Sequence, residues 1–410
     1  MPLASPNKKN NPGNNLPLSL EDTSIAFSAK SEGKLYKMYW LFASMNNKRL
    51  VKMGTTLIKT AFKYHMPIKM LLKYTVFEHF CGGETIQDCE RTIQELGQFG
   101  IGTILDYSVE GEKTAAGFNR TMQETLSTIE KAATSNTIPF SVFKVTGIAA
   151  TDLLEKVQSG TLLTEAEKKD YEQVRSRVNM ICQRAYALKV RVFIDGEESW
   201  IQDTIDALAY EMMEQYNKEE AIVFNTFQLY RWASLDNLRK AVQQAEAEGY
   251  YLGVKLVRGA YMEKESRRAL EKGYRDPVQP NKAACDGDFN AATLLCLDAR
   301  GITSNPRISL CLGTHNEDSC YLLVEEMKNC GIALNDSGIW FAQLYGMSDN
   351  ISYNLAAAGY NVAKYVPYGP VEAVMPYLFR RAEENSSVAG QSSREFNLIK
   401  KEIARRKKNR

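Results

Sequence analysis

The chain has 410 residues, 44% hydrophobic and 24% charged, with a net charge of +2 at pH 7, the balance of an ordinary globular protein. That near-neutral charge gives no electrostatic reason to expect nucleic acid as a partner. Three histidines, and eight cysteines without a CxxC or any metal-ligand spacing, supply neither a zinc site nor a Ser/His/Asp triad well, so the cysteines read as buried reduced thiols and no metal is expected.

Residues 1–30 are rich in Asn, Pro, Ser and Lys and lack both an apolar signal core and the arginines of a transit peptide. They read as a mobile arm on an intracellular protein, a bacterial one, or a mitochondrial matrix protein if a presequence has been removed. No apolar run approaches the roughly 20 residues that a membrane helix needs. From 31 to 100 apolar residues recur three and four apart, as in "LYKMYWLFASM" and "LVKMGTTLIKTAF", which predicts a helical lead-in covering whatever follows. Core packing is the preferred reading of "KLYKMYWLFASM" over a dimer or membrane contact.

Eight short runs rich in β-branched and aromatic residues come next: "IGTILDYS" from Ile101, "PFSVFKVT" from Pro139, "VRVFIDGE" from Val190, "AIVFNTFQ" from Ala221, "YLGVKLVRG" from Tyr251, "RISLCLGTH" from Arg307, "GIWFAQLYG" from Gly338 and "NVAKYVPYG" from Asn361. They are near-continuously hydrophobic, as parallel strands covered on both faces are. A helical stretch follows each one, near 115–135, 152–188, 200–218, 233–248, 262–300 with an interruption, 316–330, 349–358 and 370–385. This alternation predicts an α/β fold, a (βα)8 barrel spanning 101–390. An open doubly wound sheet is the alternative, but no glycine fingerprint opens a first helix. The basic stretch 391–410 reads as a solvated tail, in preference to one resting on an anionic membrane.

A barrel enzyme works at the C-terminal ends of its strands. The polar residues there are Asp106, Tyr107, Lys144, Asp195, Glu197, Asn225, Gln228, Lys255, Arg258, Tyr261, Thr314, His315, Asn316, Gln343, Tyr345, Tyr365 and Tyr368. Each has a structural explanation too, since strand-end residues cap helices and tie loops. Lys144 stands out because a lysine in a hydrophobic strand has to be paired; Asp195 on the next strand is the predicted partner. Tyr368 reads as a packing residue.

In "YLFRRAEEN" Arg380 and Arg381 are adjacent on the eighth helix. Helical neighbours point about 100° apart, so the two share a target only if something small and anionic sits against that corner, and a guanidinium fork suits a carboxylate or a phosphate. Pairing with Glu383 and Glu384 within the helix is the weaker explanation.

With "KLVRGAYMEKE", "GTHN", "FAQLYGM", "YVPYGP" and "YLFRRAEEN" in that order, the sequence resembles the proline dehydrogenase family of monofunctional type, from the helical lead-in to the end of the barrel. The resemblance implies a distorted (βα)8 barrel that holds FAD without a covalent link. It implies that L-proline is oxidised to Δ1-pyrroline-5-carboxylate by hydride transfer from C5 to the flavin N5, with electrons passed to a membrane quinone, so that a peripheral membrane contact is expected. It places Lys144, Asp195, Leu344, Tyr365, Tyr377, Arg380 and Arg381 around proline, with Lys144, Lys255, Arg380 and Arg381 serving the reaction. Asn225, Lys255, Arg258, Gly259, Tyr261, Thr314, His315 and Glu384 match flavin-contacting positions. Bifunctional relatives carry an arginine in place of Lys255 and a glutamine in place of Asn225, which leaves the hydrogen bond at N5 open. Relatives that prefer hydroxyproline are expected to carry serine at Tyr365, so hydroxyproline oxidation is the alternative within the family. A Schiff-base aldolase using Lys144 or Lys255, or a non-catalytic barrel, are the readings outside it.

Overall fold

A computed structural model of the chain describes residues 18–64, 66–109, 112–300, 307–387 and 391–409, the side chains at 48, 299, 300 and 383–393 excepted. Eight parallel strands follow one another around a closed barrel: β1 (Ile101–Tyr107), β2 (Phe140–Phe143), β3 (Arg191–Ile194), β4 (Val223–Gln228), β5 (Leu252–Val257), β6 (Ile308–Gly313), β7 (Ile339–Leu344) and β8 (Val362–Tyr368). Closure of β8 onto β1 over seven register pairs rules out the open sheet. Every residue of β2, β4 and β8 is buried, because one face fills the barrel and the other lies under helices.

The side-chain period of two sorts the strands. Ile104, Phe140, Val142, Phe193, Phe224, Cys311, Ala342, Ala363 and Tyr365 fill the interior. Phe140 stacks on Phe193 at 4.3 Å between centroids, and Phe224 meets both edge-on. This aromatic plug closes the barrel below its mouth. The alternate residues, among them Leu105, Val192, Ile194, Val223, Leu252 and Val254, pack outward against the helices.

The helices stand where the periodicity predicts them, from Ala115–Ala133 after β1 to Val371–Ser387 after β8. The stretch after β2 divides into Thr151–Gln158 and Glu165–Leu188. Gly160 turns the chain at a φ of +66°, and Thr164 starts the second helix with a capping box closed by Glu167. In the lead-in, helices Glu32–Met45 and Lys48–Lys63 and a broken helical run from Lys69 to Phe80 lie beside Val371–Ser387. Met45, Leu72, Phe77 and Phe80 share a core with Val374, Met375, Tyr377 and Leu378.

Two expectations about the ends require correction. The described part of the N-terminal arm is packed: Leu20, Ala26 and Phe27 are fully buried, and residues 1–17 lie outside the described ones. The basic stretch after residue 390 forms a helix, Gln391–Lys408. Its Leu398 and Ile399 are buried against Phe27, Leu35, Met38 and Phe42, with Phe396 and Ile403 alongside. Basic residues dominate its composition, but the three-and-four spacing of those apolar ones decides its fate. Both ends then converge on the loop after β7. Lys30 and Lys364 share the buried Asp349 carboxylate at 3.1 and 2.9 Å, and Glu395 accepts from the Ser348 N–H.

Candidate active site

At the C-terminal mouth of the barrel the inward positions of five strands meet in one polar array. Phe143 and Ile194 are register partners, so the residues that follow them, Lys144 and Asp195, are side by side; Lys144 lies one position beyond β2 and not inside it. Its Nζ donates to Asp195 Oδ2 at 3.0 Å and stands 3.8 Å from Asp106. From the opposite side Lys255 Nζ donates to Asp195 Oδ1 and, at 2.7 Å, to the Tyr365 hydroxyl. That hydroxyl in turn donates to Asp195 Oδ1 at 3.0 Å. Burial alone pushes the Asp195 carboxyl up, but Lys255 and Lys144 outweigh it and hold the group well below the usual carboxylate range. The Lys255 ammonium also lies 4.7 Å from the Tyr365 ring centroid and 5.1 Å from that of Phe193, on top of the aromatic plug.

Leu344 is the register partner of Tyr365. It packs both in the barrel interior and in the layer that contains Tyr377, and so links the floor to the helix that carries the arginines. Arg381 is 9% exposed and lies 5.4 Å from the Tyr377 ring centroid; Arg380 is half-buried. Half-buried Tyr261, ahead of the helix Met262–Lys272, completes the wall. Burial and then the Glu197 charge push its phenol up, while Lys144 and Arg380 oppose them.

On the β5–β6 side the rim is rich in donors. The Arg258 guanidinium bonds Asp286, Thr314 and Ser319 at 2.7, 2.6 and 3.0 Å, and stacks 4.3 Å from the Phe289 centroid. Gly259 adopts a φ of +113°, and a Cβ there would meet the Tyr230 ring at 1.9 Å, so only glycine fits. His315 shares a 2.8 Å hydrogen bond with the Ser348 hydroxyl. Burial, reinforced by Lys364, Arg381 and Arg258, drives its imidazole down to about 3, so it is neutral at physiological pH. A guanidinium, a buried ammonium, a hydroxyl and a neutral imidazole around one opening suit an anionic ligand with many acceptor atoms. A flavin nucleotide has that character, with phosphates at one end and an electron-rich ring at the other, and the residues fit it.

Two predicted contacts are not brought into this constellation. With Phe224 facing inward, Asn225 turns outward: it is fully buried under the helix Ser199–Tyr216, where its amide donates to Asp206 at 2.8 Å. The Glu384 side chain lies outside the described residues. Beyond Phe224, the inward positions of β4 are Thr226, register partner of Lys255, and Gln228, which donates to the Glu197 carbonyl at 2.6 Å. Glu197 belongs to the site's surroundings as well. Burial pushes it up to about 7, although Thr146 bonds it through both its N–H and its hydroxyl. Gln228 and Glu197 stand out in the sequence as strand-end polar residues; Thr226 carries no such signal.

A family profile described as proline dehydrogenase matches residues 89–394. Proline dehydrogenase 1, mitochondrial, of Dictyostelium discoideum is 32% identical over 98% of this chain and 76% of its own length. Hydroxyproline dehydrogenase of Xenopus laevis is 29% identical over 95% of this chain and 90% of its own. Among solved structures, proline utilization A from Bdellovibrio bacteriovorus superposes with a TM-score of 0.69 at 18% identity, over 89% of this chain but only 38% of that longer one.

Proposed function

The chain belongs to the proline dehydrogenase family, and from that premise we propose that its barrel, residues 101–390, binds FAD and oxidises L-proline to Δ1-pyrroline-5-carboxylate, passing the electrons to a membrane quinone. The observation that carries the reading is the array of Lys144, Lys255 and Tyr365 around Asp195, a fixed polar floor joined through Leu344 to the helix that carries Arg380 and Arg381. Proline is matched to such a space. Its carboxylate suits the Arg380 and Arg381 forks, and its ring suits Leu344, Tyr365 and Tyr377.

FAD, when bound, supplies the acceptor for the hydride that leaves C5. The protein's share is placement, as is usual where a cofactor carries the chemistry. The arginines hold the carboxylate end, and Tyr365, pinned by Lys255 and Asp195, fixes the depth to which the ring descends. Lys255 and Arg258, each held in place by a carboxylate partner, Asp195 or Asp286, would supply cations beside FAD that stabilise the negative charge of the reduced group. Oxidation requires the neutral amine, whose proton is released to solvent. The quinone places the enzyme at the face of a respiratory membrane, on the bacterial cytoplasmic or the mitochondrial matrix side.

The visible spectrum tests this directly. The purified protein shows a flavin spectrum that bleaches anaerobically on L-proline and not on D-proline; a protein that cannot be reconstituted with FAD, or whose flavin ignores proline, sinks the reading. Tyr365 decides between proline and hydroxyproline, because its bulk and its two hydrogen bonds leave no room for an added ring hydroxyl. Tyr365→Ser shifts the ratio of kcat/KM toward hydroxyproline by about tenfold or more, the change expected from ~1–3 kcal/mol of altered pocket fit. An unchanged ratio removes Tyr365 from the ring pocket. The aldolase reading gains nothing, since both barrel lysines already donate to Asp195.

A further inference from the structure

Between Asn47 and Phe77 the sequence holds seven lysines and arginines and no aspartate or glutamate, in a protein whose whole net charge is +2. Among the described residues, the same stretch carries the largest gathering of exposed apolar side chains: Leu57 is 62% exposed, Met70 67% and Leu71 66%, with Leu50, Met53 and Tyr74 beside them. Trp40, 70% exposed, stands on the preceding helix.

The helix Lys48–Lys63 shows why this is not ordinary surface scatter. At about 100° per residue, its apolar residues occupy roughly half the circumference. Only part of that arc, Val51, Ile58, Ala61 and Phe62, faces the protein. The rest, Leu50, Met53 and Leu57, projects into solvent, and Arg49, Lys52 and Lys63 stand on the polar side. A helix built only to cover the barrel needs an apolar stripe no wider than its contact. This one has a second stripe with cations along it, and the segments that flank it add amphipathic rings in Trp40, Tyr64 and Tyr74, together the composition of a surface lying in a lipid interface.

We infer that the outer face of residues 40–74 is a docking surface for an anionic lipid bilayer, with Leu50, Met53, Leu57, Met70 and Leu71 entering the headgroup boundary and the lysines meeting lipid phosphates. Charge decides against a second copy of the chain. Lys69 and Lys73 already pair with Glu84, and Lys69 also with Glu372, but a two-fold contact through this face still sets the cations of the helix Lys48–Lys63 against one another with no carboxylate in that helix to pair them, and lysine is depleted at such interfaces. The inference deepens the membrane part of the reading above and rests on it only for the quinone. The inner side of the same helix packs on Val371–Ser387, which carries Arg380 and Arg381, so docking brings the barrel mouth within one helical layer of the lipid.

The test is flotation of the full chain with vesicles of mixed phosphatidylcholine and phosphatidylglycerol against vesicles of phosphatidylcholine alone. Native protein floats with the anionic vesicles, and the bound fraction falls as salt is raised. Leu57→Glu and the double variant Lys52→Glu/Lys63→Glu each weaken partitioning by at least about tenfold, as ~1 kcal/mol per basic side chain near the surface implies, while proline-dependent bleaching in solution stays native. That last readout separates failure of this inference from failure of the proposed activity. Native protein that ignores both kinds of vesicle, or variants that float as native does, overturn it. A native dimer that Leu57→Glu dissociates also overturns it, in favour of self-association.

Discussion

Arg381→Met raises the KM for proline by roughly 30-fold to several thousand-fold, the range set by ~2–5 kcal/mol for truncating one partner of a buried charge pair, and leaves FAD bound. Arg381 is 9% exposed and its guanidinium lies against the Tyr377 ring, so little water is available to replace it at the carboxylate. Arg381→Lys keeps the charge but loses the planar fork and falls between the two. Because the arginine grips the end of proline remote from C5, the effect is concentrated in KM, with a smaller fall in kcat. Steady-state kinetics with flavin absorbance as the occupancy control make the measurement. Unchanged proline kinetics in a flavin-replete variant remove Arg381 from the substrate site.

Asp195→Ala has the second large effect, and it falls on stability. Two ammonium groups, Lys144 and Lys255, lose their common carboxylate. Lys255 is 4% exposed and is left as a buried, poorly compensated charge; breaking such a pair costs about 3–5 kcal/mol. The denaturation midpoint falls accordingly, and activity falls with the Tyr365 hydrogen bond. The pH dependence has a definite sign. The folded state holds the Asp195 carboxyl below its ordinary range, so its contribution is complete above the unfolded value of about 4 and is lost as the pH drops below that. Acid melts of the native protein therefore steepen below about pH 4. Asp195→Asn flattens that limb, and an unaltered acid limb in the Asn variant contradicts the assignment.

Much of this arrangement is legible in the sequence because it depends on local pattern. The eight strands announce themselves as short apolar runs, and the adjacency of Lys144 and Asp195 follows from consecutive parallel strands. The phase of β4 does not announce itself. "AIVFNTFQ" is apolar on both faces, so no alternation says whether Asn225 or Thr226 looks inward. The packing of Phe224 on Phe140 and Phe193 settles the question, and it joins residues from three strands. The C-terminal helix escaped for a different reason: its charge obscured an apolar stripe whose partners lie more than 300 residues upstream.

That last distance has a kinetic consequence. Leu20 N–H reaches the Tyr321 hydroxyl, and Arg406 donates to the carbonyls of Phe27 and Lys30; contacts this remote in sequence close late, because loop entropy opposes them until the intervening chain is compact. During synthesis the hydrophobic residues Phe27, Leu35 and Phe42 emerge more than 300 residues ahead of their packing partners Leu398 and Ile399. Until those partners emerge, the nascent chain exposes an unmatched apolar surface on these residues, which makes the ribosome-bound intermediate a client for chaperones that shield such segments.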